Sequence, residues 1–273
     1  MVYQAYAPDA PVLTDALDAM FYLKGYAPEH GIERLVPDAK LSIVIELDGQ
    51  ERHIYDNASH QPVQSCTRAW VSGMQTGYIS ISALQQTELL AIQFKPGTAH
   101  PFLKSRLDAL QDKVVPAGDV FGEGIYALRK QIKAAPEPVD KLETAAQWLL
   151  VQYDDGRQTN KAVSDALAQI IANPVAPTLK EIMVQSAYSK KHFIDLFKKY
   201  VGLSPKALQR VLRFAEVMAL VQDEKSIQWA QVSLDCGYYD QSHFIKDFLH
   251  FSGFNPQAFL DEDHDRPNFF PVD

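Results

Sequence analysis

Two stretches of the chain carry amino and amide side chains at spacings that suit contact with nucleic acid. Residues 189–199 contain four lysines, and residues 240–246 contain Gln241 and Lys246. In both stretches phenylalanines recur at the spacing of a buried helix face, which leaves the lysines and amides on the opposite face. Such groups donate to phosphate oxygens and to the acceptor edges of bases in the major groove. The sequence therefore predicts two helices that present DNA-contacting faces.

The residues predicted to contact DNA divide according to their position on these helices. Side chains in the first turns and the middle of each helix are expected to meet base edges. They are Ser189, Lys190, Lys191, Ile194 and Asp195 in the first stretch, and Asp240, Gln241, Ser242 and Ile245 in the second. Basic side chains farther along, or on the helix between the stretches, are expected to meet phosphates. They are Lys198, Lys199, Lys206, Arg210 and Lys246.

An internal repeat links the two stretches. When the sequence is shifted by 51 residues, residues 188–208 align with residues 239–259, and 8 of 21 positions are identical. Ordinary composition would give about one or two identities by chance. Each copy follows a short apolar segment and a tight turn, which is the layout of a helix-turn-helix unit. A merely solvated lysine-rich face is the alternative for one copy, and the duplication disfavours it.

Capping signals set the limits of the helices around the repeat. Thr178 and Glu181 have the spacing of a capping box, and Ser189 is placed to cap the helix that follows. Ser204-Pro205 starts a long helix, because proline is well tolerated in the first helical turn. The sequence thus predicts an all-α domain over residues 157–260, in which a long helix joins two helix-turn-helix units.

The first hundred residues are predicted to be rich in β-strands. Four runs of β-branched and aromatic residues are separated by glycines and prolines. They lie at residues 41–47, 52–55, 78–81 and 89–94. Short strands at this spacing favour an antiparallel barrel or sandwich that can enclose a small ligand. Helical periodicity follows over residues 125–153, so the predicted fold class is α+β, with a sensor domain and its trailing helices over residues 1–155.

Charge is unevenly distributed along the 273-residue chain, whose net charge is −8. Residues 157–260 carry a net charge of +3 and are followed by an acidic tail, residues 261–273, that is expected to be solvated. No apolar run reaches the roughly 20 residues that cross a bilayer, and no signal-peptide layout is present, so a cytoplasmic location is expected. Cys66 and Cys236 lie far apart and are predicted to be reduced structural thiols.

The C-terminal part of the sequence resembles the AraC/XylS family of transcription regulators. The resemblance rests on residues 189–198, Gly202-Leu-Ser-Pro205, the helix with Arg213, and above all Cys236-Gly-Tyr-Tyr-Asp-Gln-Ser-His-Phe244 through Gly253-Phe-Asn-Pro256. It implies that the two helices enter successive major grooves about one helical turn of DNA apart.

The same resemblance bears on the N-terminal part and on two unusual positions. Residues 1–155, which include Leu35-Val-Pro-Asp38 and Phe94-Lys-Pro-Gly97, are similar to a cupin-like domain. The family resemblance implies that this part of the chain senses a small-molecule effector, forms a homodimer, or does both. Ala187 stands where a turn glycine is usual in the family. Asp195 stands where an arginine is common, so the DNA contact of the first unit is expected to differ.

Three other functions compete with this interpretation. A metal-dependent cupin-type enzyme would draw on several histidines and carboxylates, although their spacing matches no metal motif. These candidates are His53, His60 and His100 with Glu46 or Glu88. A DNA-repair protein with the same DNA-binding module would need a reactive Cys66, and a helical protein adaptor would lack DNA affinity. The favoured prediction is an effector-responsive transcription regulator that binds double-stranded DNA sequence-specifically. No catalytic activity, cofactor or metal site is expected.

Overall fold

A computed structural model describes residues 1–176, 178–183, 187–221, 227–259 and 269–272. The strands are β1 Val2–Ala5, β2 Leu17–Tyr26, β3 Ile32–Leu35, β4 Leu41–Glu46, β5 Arg52–Tyr55, β6 Pro62–Cys66, β7 Ala69–Ser72, β8 Ile79–Ser82, β9 Thr87–Phe94, β10 Val114–Pro116 and β11 Phe269–Pro271. The helices are α1 Pro11–Ala16, α2 Ala117–Phe121, α3 Gly124–Ala134, α4 Pro138–Gln152, α5 Lys161–Ala172, α6 Leu179–Met183, α7 Lys190–Val201, α8 Pro205–Val221, α9 Trp229–Asp235, α10 Gln241–Ser252 and α11 Pro256–Phe259. The α+β class is confirmed.

The strands form two antiparallel sheets. The first sheet has the order β1-β2-β9-β4-β7-β10, and the second has the order β11-β3-β8-β5-β6. The four predicted strands are confirmed as β4, β5, β8 and β9. The described strands stack as two sheets instead of closing into a barrel, because each sheet keeps its own edge strands. We call residues 1–155 the sheet region and residues 157–259 the helical region.

The first sheet is apolar on both faces. Side chains alternate along each strand, and one set packs against the trailing helices α3 and α4. This set, with the helix residues that cover it, includes Met20, Ile43, Val71, Ile92, Leu128 and Leu149. The other set points toward the second sheet and includes Phe21, Val44, Trp70 and Leu89. Burial on both faces explains why these strands are nearly continuous apolar runs and do not simply alternate with polar residues.

The helical region forms a second core around the repeat. Its centre contains phenylalanines from α7, α8 and α10 that are fully buried at the spacing of one helix face. They include Phe193, Phe197, Phe214, Phe244, Phe248 and Phe251. Val36, Ala39 and Met74 of the sheet region are buried in the same cluster. The two regions therefore share a core, and the predicted boundary at residues 155–157 stays a prediction.

The end of the chain differs from the solvated acidic tail expected from composition. Residues 260–268 and 273 lie outside the described residues, but β11 pairs antiparallel with β3, with Phe270 opposite Arg34. The Phe270 ring lies 5.2 Å from that of Phe259 and is almost completely buried. Two aromatic residues in an otherwise polar segment supply the apolar area that draws this strand onto the sheet.

Gly73, which follows β7, offers a test of this packing. A Cβ at Gly73 would collide with the backbone carbonyl of Leu110, whereas a Cβ at Gly31 would meet open space. Because a backbone group cannot move aside cheaply, we expect Gly73→Ala to destabilise the protein by about 2–3 kcal/mol. Thermal unfolding should show a melting temperature about 5 °C lower. Gly31→Ala is the matched control and should melt like the wild type; equal melting of both variants would contradict the packing described here.

Candidate DNA-binding surface and inter-sheet cavity

The first helix-turn-helix unit consists of α6 and α7. Its predicted capping box is present: the Thr178 backbone N–H donates to Glu181 Oε2 at 2.7 Å, and the Glu181 N–H donates to Thr178 Oγ1 at 3.3 Å. The hydrogen bonds that the Thr178 N–H and hydroxyl donate to the carboxylate lower the pKa of Glu181. Ser189 caps α7 as predicted, with Oγ accepting from the His192 N–H at 3.4 Å. The caps fix the start of both helices and leave the first turn of α7 exposed.

The second unit consists of α9 and α10. Gly237 lies in the turn between them with φ 68°, a left-handed conformation in which glycine is favoured. Ala187, the residue at the equivalent turn of the first unit, follows residues 184–186, which lie outside the described ranges. Asp240 caps α10, with its carboxylate accepting from the His243 N–H at 2.7 Å. This carboxylate, predicted to contact a base, is therefore also occupied in holding the helix end.

Most of the predicted contact residues are exposed. The exposed group consists of Ser189, Lys190, Lys191, Asp195, Lys206, Asp240, Gln241, Ser242, Ile245 and Lys246. The half-buried group consists of Ile194, Lys198, Lys199 and Arg210. Both repeats thus bury their phenylalanines and expose the opposite helix face to solvent. The assignment of individual residues to bases or phosphates stays a prediction.

One side of α7 is docked on the sheet region. Asp195 accepts a hydrogen bond from the Arg106 guanidinium at 2.8 Å, and this hydrogen bond lowers the pKa of Asp195. Farther along, the Tyr200 ring lies 4.6 Å from that of His100, and Lys199 lies over the Tyr200 ring. Asp195, predicted to reach a base, is therefore held by the sheet region in this arrangement. Nothing in the local sequence links Asp195 to Arg106.

Arg210 is engaged within the helical region. Its guanidinium donates to Asp247 Oδ1 at 2.7 Å and lies over the Phe251 ring, and Asp247 is only 4% exposed. The predicted phosphate contact of Arg210 therefore competes with an ion pair that joins α8 to α10. The repeat contained a signal for this pair, because Asp247 occupies the position at which the first unit has the inward-facing Leu196. A carboxylate at an inward position requires a partner.

A cavity of about 610 Å³ lies between the two sheets, which is within the range of small-molecule sites. Its walls are mainly apolar and aromatic side chains from both sheets. They include Phe21, Leu23, Val44, Trp70, Ile79, Ile81, Leu89 and Phe269. The sequence predicted an architecture that can enclose a small ligand in this part of the chain, but not the residues that line the cavity.

Five charged side chains line the cavity, namely Asp18, Glu33, Asp38, Lys40 and Arg52. Arg52 donates to both oxygens of the buried Glu46, to the carbonyl oxygen of Ser82 and to the Thr87 hydroxyl. Lys40 pairs with Asp18 at 2.8 Å and with Asp38 at 3.5 Å. Glu33 is 5% exposed and accepts from the Tyr26 hydroxyl at 2.9 Å. The polar groups of the cavity wall are therefore held in fixed positions.

The groups proposed for catalytic alternatives are dispersed. Glu46 pairs with Arg52, Glu88 accepts from Tyr22, and His100 contacts the Arg157 carbonyl oxygen. Among the described residues no group of three or more histidines, cysteines or carboxylates is arranged to hold a metal. Burial raises the pKa of each cysteine thiol to about 11, so both are protonated at neutral pH and are poor nucleophiles. Among the residues that the structure describes, no helix combines the length and apolar character needed to cross a bilayer.

Comparison with protein families assigns the repeat. Residues 183–262 match the family model of a helix-turn-helix domain. This part of the chain is an AraC-type helix-turn-helix DNA-binding domain. The resemblance inferred from the two repeated motifs is thereby confirmed. Residues 4–116, which contain most of the sheet region ahead of the AraC-type domain, match a domain of unknown function, DUF6597.

Comparisons with whole proteins are more distant. No curated protein matches the sequence significantly. A ligand-free variant of ToxT from Vibrio cholerae has a TM-score of 0.48 and 9% identity, over 89% of this chain and 97% of that one. Wild-type ToxT with a bound unsaturated fatty acid has a TM-score of 0.46 and 10% identity, over 88% and 94%. A regulator with an AraC-type domain from Chromobacterium violaceum has a TM-score of 0.33 and 23% identity, over 37% and 89%.

The Arg210–Asp247 pair gives a test within the AraC-type domain. Arg210→Ala leaves a buried carboxylate without its cation, so we expect a loss of about 2 kcal/mol in stability, measured by thermal unfolding. Adding Asp247→Leu, which copies the equivalent Leu196 of the first unit, should restore much of it. Lys206→Ala, on the exposed face of α8, is the control and should change stability by less than about 0.5 kcal/mol. Equal melting of Arg210→Ala and the control would show that the pair carries no structural weight.

Proposed function

We propose that the protein is an effector-responsive, sequence-specific DNA-binding transcription regulator. The observation that carries this proposal is the duplicated helix-turn-helix unit, in which both copies bury matched phenylalanines and leave the first turn of the second helix exposed. In such units that turn meets base edges in the major groove. Two units in one chain supply two recognition helices for neighbouring grooves.

The charge of the exposed faces supports contact with DNA. Lys190 and Lys191 are exposed at the start of α7, and Gln241 and Lys246 are exposed on α10. The glutamine amide matches the donor and acceptor pair of an adenine edge, whereas the lysines suit phosphates and guanine. We assign base recognition to the first turns of α7 and α10, which include Lys190, Lys191 and Gln241. We assign general affinity to the lysines farther along these helices: Lys198, Lys199 and Lys246. A cytoplasmic location, where DNA is accessible to a regulator, goes with this proposal.

The response to an effector is proposed to begin in the inter-sheet cavity. Val36 lines the cavity and is also buried in the helical core, and Ala39 at the end of the same loop is buried there too. On β11, consecutive side chains reach the cavity and the helical core: Phe269 lines the cavity, and Phe270 packs against Phe254 and Phe259. A ligand in the cavity therefore touches the elements that hold the DNA-binding domain. It shifts the position of that domain only if its affinity differs between two arrangements.

Enzymatic activity forms no part of the proposal, because the matched helix-turn-helix domain is of a transcription-regulator type. Homodimerisation, which the family resemblance implies, is kept as part of the proposal. Sedimentation of the protein with and without a single DNA site would give its stoichiometry. A monomer that binds both grooves alone would contradict the proposed homodimer.

DNA binding can be tested by selecting bound fragments from a random DNA pool and then measuring affinities at several salt concentrations. Gln241→Ala should relax the preference at one base pair while leaving the salt dependence unchanged. Lys246→Ala should weaken binding to all sequences and reduce the slope of log K against log salt by about one. Lys130→Ala, an exposed lysine on α3, is the control and should change neither. The opposite pattern for Gln241 and Lys246 would show that the faces are wrongly assigned, and the absence of any selected sequence would overturn the proposed function.

A further inference from the structure

We propose that the inter-sheet cavity takes an apolar molecule that carries an ammonium group, with Glu33 as the group that receives it. This inference rests on the proposed effector-responsive function and names the chemistry of its ligand. It follows from which charged groups of the cavity wall are already paired and which is still available.

Glu33 has one carboxylate oxygen available. The Tyr26 hydroxyl at 2.9 Å and the His30 ring at 3.5 Å both approach Oε2. Oε1 accepts no hydrogen bond from any described residue, although Glu33 is 5% exposed and lines the cavity. An ionised oxygen in a mainly apolar cavity wall costs free energy as long as no donor meets it. A ligand that brings an N–H donor, above all a charged one, removes this cost.

The two basic groups of the cavity wall are committed elsewhere. Arg52 directs its donors to Glu46, Ser82 and Thr87, so its guanidinium is already neutralised by a carboxylate. Lys40 is held between two carboxylates, those of Asp18 and Asp38. A ligand carboxylate would have to displace one of these partners and would add a negative charge to a wall that already carries Glu33. The arrangement therefore disfavours acids.

Aromatic side chains complete the selection. Trp70, Phe21 and Phe269 line the same cavity, and the faces of such rings attract ammonium groups. The remaining walls are aliphatic, so the body of the ligand must be apolar to gain from burial. A volume of about 610 Å³ admits an aryl- or alkylamine of drug-like size.

The test compares three probes that differ only in their end group: phenylbutylamine, phenylbutanol and phenylpentanoate, titrated into the full chain by calorimetry at neutral pH. The amine should bind at least about tenfold more tightly than the carboxylate, because a hydrogen bond between charged groups is worth roughly that factor or more. The alcohol should lie between them. Tighter or equal binding of the carboxylate, or no binding of the amine at millimolar concentration, would overturn the proposal.

Two variants connect this preference to the site. Glu33→Gln keeps an acceptor for Tyr26 but removes the charge, so it should weaken amine binding about tenfold and abolish the preference over the alcohol. Glu51→Gln, an exposed carboxylate outside the cavity, should leave amine binding unchanged. Ala91→Trp fills the cavity from β9, keeps the Glu33 carboxylate, and should abolish binding of all three probes. If amine binding survives Ala91→Trp, or if Glu33→Gln does not weaken it, the assigned site is wrong.

These measurements are independent of DNA. A chain that binds the amine as expected but selects no DNA sequence would overturn the proposed function and leave the ligand class standing. A chain that selects DNA but prefers the carboxylate would do the reverse.

Discussion

The shared core between the sheet region and the helical region is the interaction on which the arrangement of the whole protein depends. Val36, Ala39, Met74 and Phe270 are all nearly inaccessible to solvent within a cluster otherwise built from the helical region. Each large apolar side chain buried in this way contributes about 1.5–3 kcal/mol. Separating the two regions would expose several of them at once. That cost is similar to the roughly 5.5 kcal/mol needed to reverse a two-state equilibrium from 1:99 to 99:1, so a ligand must bind the two arrangements very differently to control them.

The cavity exists because the first sheet has two apolar faces that are covered by different sets of side chains. The face toward α3 and α4 is filled by large residues, so its packing is complete without a ligand. On the face toward the second sheet, small side chains stand between the aromatic ones. They include Ala19, Ser42, Ser72 and Ala91. Sheets that pack face to face normally fill the intervening layer with interdigitating side chains. Small residues at these positions leave that layer open, and Glu33 in its wall keeps one carboxylate oxygen to which no described residue donates.

The features that could be predicted from the sequence are those set by residues close together in the chain. The strands, the capping box at Thr178 and the cap at Ser189 each depend on a few neighbouring residues. Each copy of the repeat is likewise a short continuous stretch of sequence. The contact of Asp195 with Arg106 joins residues 89 positions apart, and the pairing of β11 with β3 places Phe270 opposite the distant Arg34. No local pattern encodes these. Asp247 lies between the two cases, because the repeat itself marked its position as buried although it did not name Arg210 as the partner.

The two copies of the repeat have diverged in charge at equivalent positions, and this divergence matches their surroundings. Asp195 on α7 and Lys246 on α10 occupy the same place in the repeat and both are exposed, but only the first is held by Arg106 of the sheet region. A carboxylate facing phosphates is repelled, whereas an ammonium is attracted. Bringing α7 to DNA at this point thus means losing a contact with the sheet region and meeting an unfavourable charge. We therefore expect the engagement of the first unit with DNA to depend on how the sheet region holds α7 at Asp195.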